Sequence, residues 1–171
     1  MEADDLIDRS RRRGGPAAAA AAAGLAAAPV RHTVIVTCMD ARIDPAQLFD
    51  LAPGDAHVLR NAGGVVTPDT RRSIVISQRK LGTRTVLLVA HTGCGLTSFT
   101  DEEFRTELQL DTGLRPPWSS GAFADPATSV ASGLRALRRD PFLMPGTALR
   151  GYVLDIATFA LAEVAEPADS A

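Results

Sequence analysis

Short apolar, β-branched runs alternate along this chain with segments whose apolar positions recur at helical spacing. The first run, Thr33-Val34-Ile35-Val36-Thr37, is continuous rather than alternating, the pattern of a strand buried on both faces. Asp44-Pro45 then reads as an N-cap with proline at the first helical position, predicting a short helix through Leu51. Pro53-Gly54 ends it, and Ala56 to Arg60 supplies a second strand. Thr67-Pro68 repeats the cap-plus-proline signal for a helix over 68–81, stopped by Gly82. Thr85 to Ala90 is the clearest strand. Thr100 and Glu103 spell a capping box ahead of Phe104 and Leu108, four apart on one helical face. Asp125-Pro126 opens another helix, with Val130, Leu134 and Leu137 at helical spacing and Pro141 beyond its end. Leu149 to Ile156 reads as a last strand, followed by a weaker apolar stretch. The order β-α-β-α-β-α-α-β, without internal repeat, predicts an α/β fold on a mainly parallel sheet flanked by helices.

The N-terminal segment breaks the alternation. Arg11-Arg12-Arg13 and an alanine-rich tract, residues 17–28, imitate the charged and apolar regions of a secretory or twin-arginine signal. The tract holds one Leu and no Ile, Val or Phe, and alanine alone is weakly hydrophobic. It reads instead as a low-complexity arm, partly helical because alanine is the best helix former, bracketed by Pro16 and Pro29. The expected organisation is therefore an arm over 1–29 and a globular domain over 30–171.

Composition narrows the function classes. A chain of 171 residues is long enough for one core, and 46% hydrophobic with 22% charged residues suits a soluble folded protein. A net charge of -2 gives no global reason to hold nucleic acid or an anionic membrane surface. No run of about 18 strongly apolar residues is present, so no membrane span is expected. Two cysteines, Cys38 and Cys94, provide no disulfide framework, which points to a reducing, cytoplasmic setting.

Those two cysteines carry the chemistry. In a parallel sheet the ligand site lies beyond the carboxyl ends of the strands. Cys38 ends the first strand, and His91 and Cys94 stand just past the third. Two thiolates and an imidazole form a soft donor set that suits zinc, and three protein ligands leave the fourth tetrahedral position open, as in catalytic sites. Asp40, two residues beyond Cys38, is close enough to reach the metal or its water. Arg42, two further on, can hold that carboxylate bidentately. Held by Arg42, Asp40 can orient a zinc-bound hydroxide; released, it can occupy the open position as a fourth ligand and shut the site. Taken singly these features are weak, since a buried Cys is usually a small core hydrophobe and an Asp–Arg pair a loop salt bridge. Their conjunction at strand ends is what counts. Gly63-Gly64 reads either as a tight turn or as backbone close enough to give amide N–H groups to a substrate, with Thr92 and Gly93 as similar candidates. His32 and His57 read as surface or structural, Trp118 as a packing anchor, and Arg71-Arg72 and Arg138-Arg139 as solvated helix faces.

Val36-Thr37-Cys38-Met39-Asp40-Ala41-Arg42 resembles the first zinc motif of the β-class carbonic anhydrases. Arg60-Asn61-Ala62-Gly63-Gly64 is similar to that family's second block, and His91-Thr92-Gly93-Cys94-Gly95 to its third. The likeness covers about residues 30–156 and is nearest the short bacterial and archaeal branch. It implies a lyase that hydrates carbon dioxide reversibly to bicarbonate and a proton. It also implies Zn2+ held by Cys38, His91 and Cys94, with Asp40 and Arg42 as the catalytic dyad, in a homodimer or higher homo-oligomer. Relatives of this kind that hydrolyse carbon disulfide or carbonyl sulfide give a second reading. A non-catalytic zinc or redox-responsive domain, closed permanently by Asp40, gives a third. Some members place a Gln just before the first strand; here that region is Ala26-Ala27-Ala28-Pro29-Val30. The arm that commonly wraps a second subunit is largely polyalanine in this chain.

Overall fold

A computed structural model describes residues 2–165; the last residues of the expected domain, 166–171, lie outside the described part. Two exposed helices form the arm: α1 (Glu2–Arg13) and α2 (Pro16–Ala22). α2 starts at its proline and stops short of Pro29, as the bracketing prolines imply. α1 was not expected, because the sequence reading placed helix only in the alanine-rich tract. It is laced by ion pairs one turn apart, Asp5 with Arg9 and Asp8 with Arg11.

The remainder runs β1 (Thr33–Cys38), α3 (Pro45–Leu48), β2 (Ala56–Asn61), α4 (Pro68–Leu81), β3 (Thr85–His91), α5 (Asp101–Thr112), α6 (Pro126–Arg138), β4 (Ala148–Leu154) and β5 (Leu161–Glu163). The cap signals are used as spelled. Asp44, Thr67 and Asp125 accept from the amides of Ala46, Thr70 and Thr128, and Thr100 and Glu103 close a full capping box. α3 ends at Leu48 rather than Leu51, because Asp50 turns to φ 48° and breaks the helical path.

The sheet order is β2-β1-β3-β4-β5, parallel throughout except for the last pair. β5 is the weaker apolar stretch. Asp155 reverses the chain by accepting the amides of Ala157 and Thr158, and the short strand returns antiparallel along β4. β1 and β3 are central. On one face Val34, Val36, Val86 and Leu88 pack under Ile74 of α4 and Val130, Leu134 and Leu137 of α6. On the other, Ile35, Val89 and Leu154 pack with Ile43, Cys38 and Cys94. Coverage on both faces explains why β1 and β3 show no polar alternation. The buried ends of the two central strands are thus rigidly placed side by side.

Two polar details depart from the sequence reading or sharpen it. His57 is structural: its ring joins Ser77 (2.7 Å) and the carbonyl of Ala27 (2.9 Å), tying the end of the arm to α4. Arg71 is only partly solvated. Its Nε donates to Asp140 Oδ2 at 2.7 Å, and that carboxylate is 2% exposed. Burial pushes the Asp140 pKa up, but the Arg71 hydrogen bond, the Phe142 amide and the Arg71 charge together outweigh it and leave it below the usual carboxylate value. A depressed pKa in the folded state means that this contribution is complete above the unfolded value, near 4, and lost as pH falls through the lower folded value. With Arg71 43% exposed, a modest size follows. Asp140→Asn is expected to cost about 1–2 kcal/mol at neutral pH and to flatten acid unfolding below pH 4, read from urea melts across pH. Equal losses at pH 7 and pH 2 would contradict this.

Candidate metal centre

Cys38 is the last residue of β1 and His91 the last of β3, and Cys94 stands three residues on, in the turn that leaves β3. Parallel pairing of β1 with β3 brings both exits to one edge of the sheet. The Sγ and ring-nitrogen atoms of Cys38, His91 and Cys94 lie within 4.8 Å of one another, and the three residues are 4%, 1% and 4% exposed. Ligands around a tetrahedral zinc with about 2.3 Å Zn–S bonds stand about 3.8 Å apart, so only a small contraction separates this group from a coordination sphere.

The donors also fit in their chemistry. His91 Nδ1 donates to the carbonyl of Thr92 at 2.9 Å, which fixes the proton on that nitrogen and leaves Nε2 as a lone-pair donor. Nε2 is buried with no hydrogen-bond partner among the described residues. A buried polar atom without a partner is costly, and a metal ion is what would satisfy it here. Burial pushes the Cys94 thiol above its ordinary range; the Leu96 amide opposes that, while Cys38 and Asp40 add to it. The residues present therefore fit a divalent, sulfur-tolerant metal.

Asp40 stands just outside this group of three. Arg42 grips both its oxygens, Nε on Oδ1 at 2.9 Å and Nη2 on Oδ2 at 2.7 Å, and the Arg42 amide adds a third bond to Oδ1. These bonds hold the carboxyl well below the usual carboxylate range. Asp40 Oδ2 comes within 3.8 Å of His91 Nε2, but Asp40 is not among the donors that all lie within 4.8 Å of one another. The structure thus has Asp40 in the Arg42-held arrangement, not in the fourth-ligand arrangement. Arg42 also donates to the carbonyl of Gly93 at 3.0 Å, so it ties the β1 exit to the β3 exit.

The substrate-side candidates divide. Gly63 and Gly64 form a tight turn with φ 78° and 64°, and the backbone of Thr37 and Cys38 leaves no room for a Cβ at Gly64. Thr92 is committed elsewhere: its amide donates to Leu154 and its hydroxyl accepts from Ile156, so the expected amide donor is already used. Gly93 gives its carbonyl to Arg42. Three neighbours were not singled out from sequence. Leu96, Phe123 and Ile156 are half-buried and pack with Cys38 and Cys94, giving the site apolar surroundings. Their position after the ligand motifs carries no spacing signal that would have marked them. Asn61 braces the glycine turn by accepting from the Val65 amide and donating to its carbonyl.

These features define an α/β protein with the donor set for a metal ion at the carboxyl ends of its two central strands. The family described as carbonic anhydrase matches residues 33–116. The β-carbonic anhydrase 1 of Mycobacterium tuberculosis is 47% identical over 140 residues, 82% of this chain and 86% of that protein. A carbon disulfide hydrolase of Acidianus sp. is 32% identical over 156 residues, 77% of this chain and 76% of that protein. Among solved structures, the carbonic anhydrase of Streptococcus mutans superposes with TM-score 0.88 at 34% identity, covering 96% of this chain and 98% of that one. The chain belongs to the β-class carbonic anhydrase family, and it is an enzyme of that lyase class. Among the described residues no helix is long and apolar enough to cross a membrane.

Proposed function

We propose that the chain catalyses the zinc-dependent, reversible hydration of carbon dioxide to bicarbonate and a proton. The observation that carries this reading is the Cys38–His91–Cys94 donor group with an Arg42-held Asp40 beside it. Cys38, His91 and Cys94 would hold the zinc, which would supply the Lewis acidity that makes water a nucleophile near neutral pH. Asp40, kept ionised by Arg42, accepts a hydrogen bond from the attacking water and turns its lone pair toward the carbon. Leu96, Phe123 and Ile156 offer an apolar surface to an uncharged substrate, while the Gly63-Gly64 turn is the candidate donor of amides to the charged product. The grip of Arg42 weighs against permanent closure of the site by Asp40, the non-catalytic reading.

The test is stopped-flow hydration of carbon dioxide by protein of measured zinc content, across a pH series. Activity proportional to zinc and rising with pH is expected, because the attacking water must first lose a proton. One zinc per chain without activity at any pH would remove the reading. Asp40→Asn is expected to keep zinc and lose about 100-fold in turnover; loss of zinc instead would make Asp40 a ligand. The kinship with the Acidianus carbon disulfide hydrolase supports a second reading, hydrolysis of carbon disulfide or carbonyl sulfide, which release of hydrogen sulfide by the same preparation would establish.

The proposed organisation is an arm over 1–29 on a domain over 30–171, in a homodimer or a multiple of it. Exposed Leu6 and Ile7 on α1 support a partner surface. A cytoplasmic setting rests on two buried thiols left unpaired.

A further inference from the structure

Arg60 is the penultimate residue of β2, beside Thr37 in the parallel register with β1. Among the described residues its guanidinium forms no ion pair with a carboxylate. Instead Nε donates to the carbonyl of Cys38 at 3.0 Å and Nη2 to the carbonyl of Asp40 at 2.7 Å. Between these two, the amide of Met39 donates to the carbonyl of Asn61 at 2.9 Å. Three bonds from residues 60–61 therefore hold three consecutive residues, 38–40, just where β1 gives way to a loop.

Those three residues carry a metal-ligand sulfur at one end and the Arg42-held carboxylate at the other. Met39 between them is 64% exposed, so its side chain is a weak anchor for the segment. Arg42 cannot fix it alone, because it lies two residues on in the same loop and moves with Asp40. Among the described residues its one side-chain hydrogen bond outside the loop is to the carbonyl of Gly93, and within the loop the amide of the buried Ile43 donates to the carbonyl of Asp40 at 3.0 Å. A rotation of the peptides around Met39 would swing Asp40 and Arg42 together, away from the donor group, while leaving their mutual ion pair intact. Arg60 is the side chain that opposes this rotation from β2.

We propose that Arg60 is a positioning residue: by gripping the carbonyls of Cys38 and Asp40 it sets the carboxylate of Asp40 at its working distance from the Cys38–His91–Cys94 group. The inference rests on the metal-site reading above. A planar fork with two donors on one edge suits two carbonyls at once, whereas the ammonium of lysine is a point donor on a flexible stem. Arginine's shape, not its charge alone, is what the position uses.

The test compares wild type, Arg60→Lys and Arg60→Ala, each loaded with zinc for kinetics and with cobalt(II) for visible absorption. Both variants are expected to fold and to take up metal, with cobalt bands shifted because Cys38 moves. The kcat for carbon dioxide hydration is expected to fall about tenfold in Arg60→Ala with KM unchanged, and millimolar guanidinium to restore part of it. Arg60→Lys is expected to keep shifted bands. Wild-type bands and kcat in Arg60→Ala would overturn the proposal, as would full restoration of both by lysine. If Arg60→Ala does not fold, the lysine variant decides: shifted bands support the assignment and wild-type bands refute it. Inactive wild type would refute the proposed reaction, while the cobalt bands would still judge Arg60.

Discussion

Cys94→Ser is expected to bind zinc at least about 100-fold more weakly than wild type and to lose carbon dioxide hydration in step. A serine hydroxyl does not ionise near neutral pH, so the group is reduced to Cys38 and His91, two ligands on different strands. Loss of a mere supporting hydrogen bond around a metal ligand typically costs 10–100-fold in affinity; loss of the ligand itself must exceed that. Cys94 lies in the turn after β3 rather than in a strand, so the sheet is expected to survive the exchange. Competition with a chromogenic chelator measures the affinity, and far-UV circular dichroism the fold. Full zinc occupancy at sub-stoichiometric chelator would refute the ligand assignment.

The second large effect is structural. A Cβ added at Gly64 would stand 2.9 Å from the Cys38 nitrogen and 2.9 Å from the Thr37 carbonyl carbon, at φ 64°. Those neighbours are backbone atoms of a buried central strand and have nowhere to go. The left-handed conformation alone costs a residue with a side chain about 1–2 kcal/mol. With the collision added, Gly64→Ala is expected to destabilise by about 3 kcal/mol or more. Gly63 offers the comparison. A Cβ there meets the ends of the Leu96 and Phe123 side chains, at 2.7 and 3.1 Å, and such tips can move. Gly63→Ala is therefore expected to cost less, and denaturant melts of the pair check the order. Because Gly64 bears on Cys38, its alanine variant is also expected to release zinc more readily, which Gly63→Ala is not. Equal stability losses would mean that strain at positive φ, not contact with the ligand strand, governs this turn.

Much of this architecture is legible in the chain because local chemistry and tertiary demand agree. Asp44, Thr67, Thr100 and Asp125 begin helices as their side chains dictate, and the β-branched runs at 33–37 and 85–90 become the two central strands. The donor group is legible for a related reason: thiols and imidazole at strand ends have few other uses, and the α/β topology says which ends meet. What is not legible is settled by partners distant in sequence. Arg71 looks like any basic residue on a helix until Asp140, 69 residues away, is folded beneath it. Thr92 looks free to donate until β4 arrives and takes its amide. α3 looks a turn longer until Asp50 adopts a left-handed conformation. The hold of Arg60 on two carbonyls depends on strand register, which no spacing rule reports.

The separation of the ligands has its own consequence. His91 and Cys94 are three residues apart, but Cys38 lies 53 residues upstream of His91 and joins them only when β1 pairs with β3. An unfolded chain thus offers a two-donor chelate, and the complete set exists only in the assembled sheet. An ion that binds the folded state so much better than the unfolded one becomes a clamp on the fold itself, adding about 2.7 kcal/mol when free ion is a hundredfold above its dissociation constant. The same atoms that carry the chemistry would then act as a cross-link between the first and third strands. That link would be reversible, and a chelator would undo it.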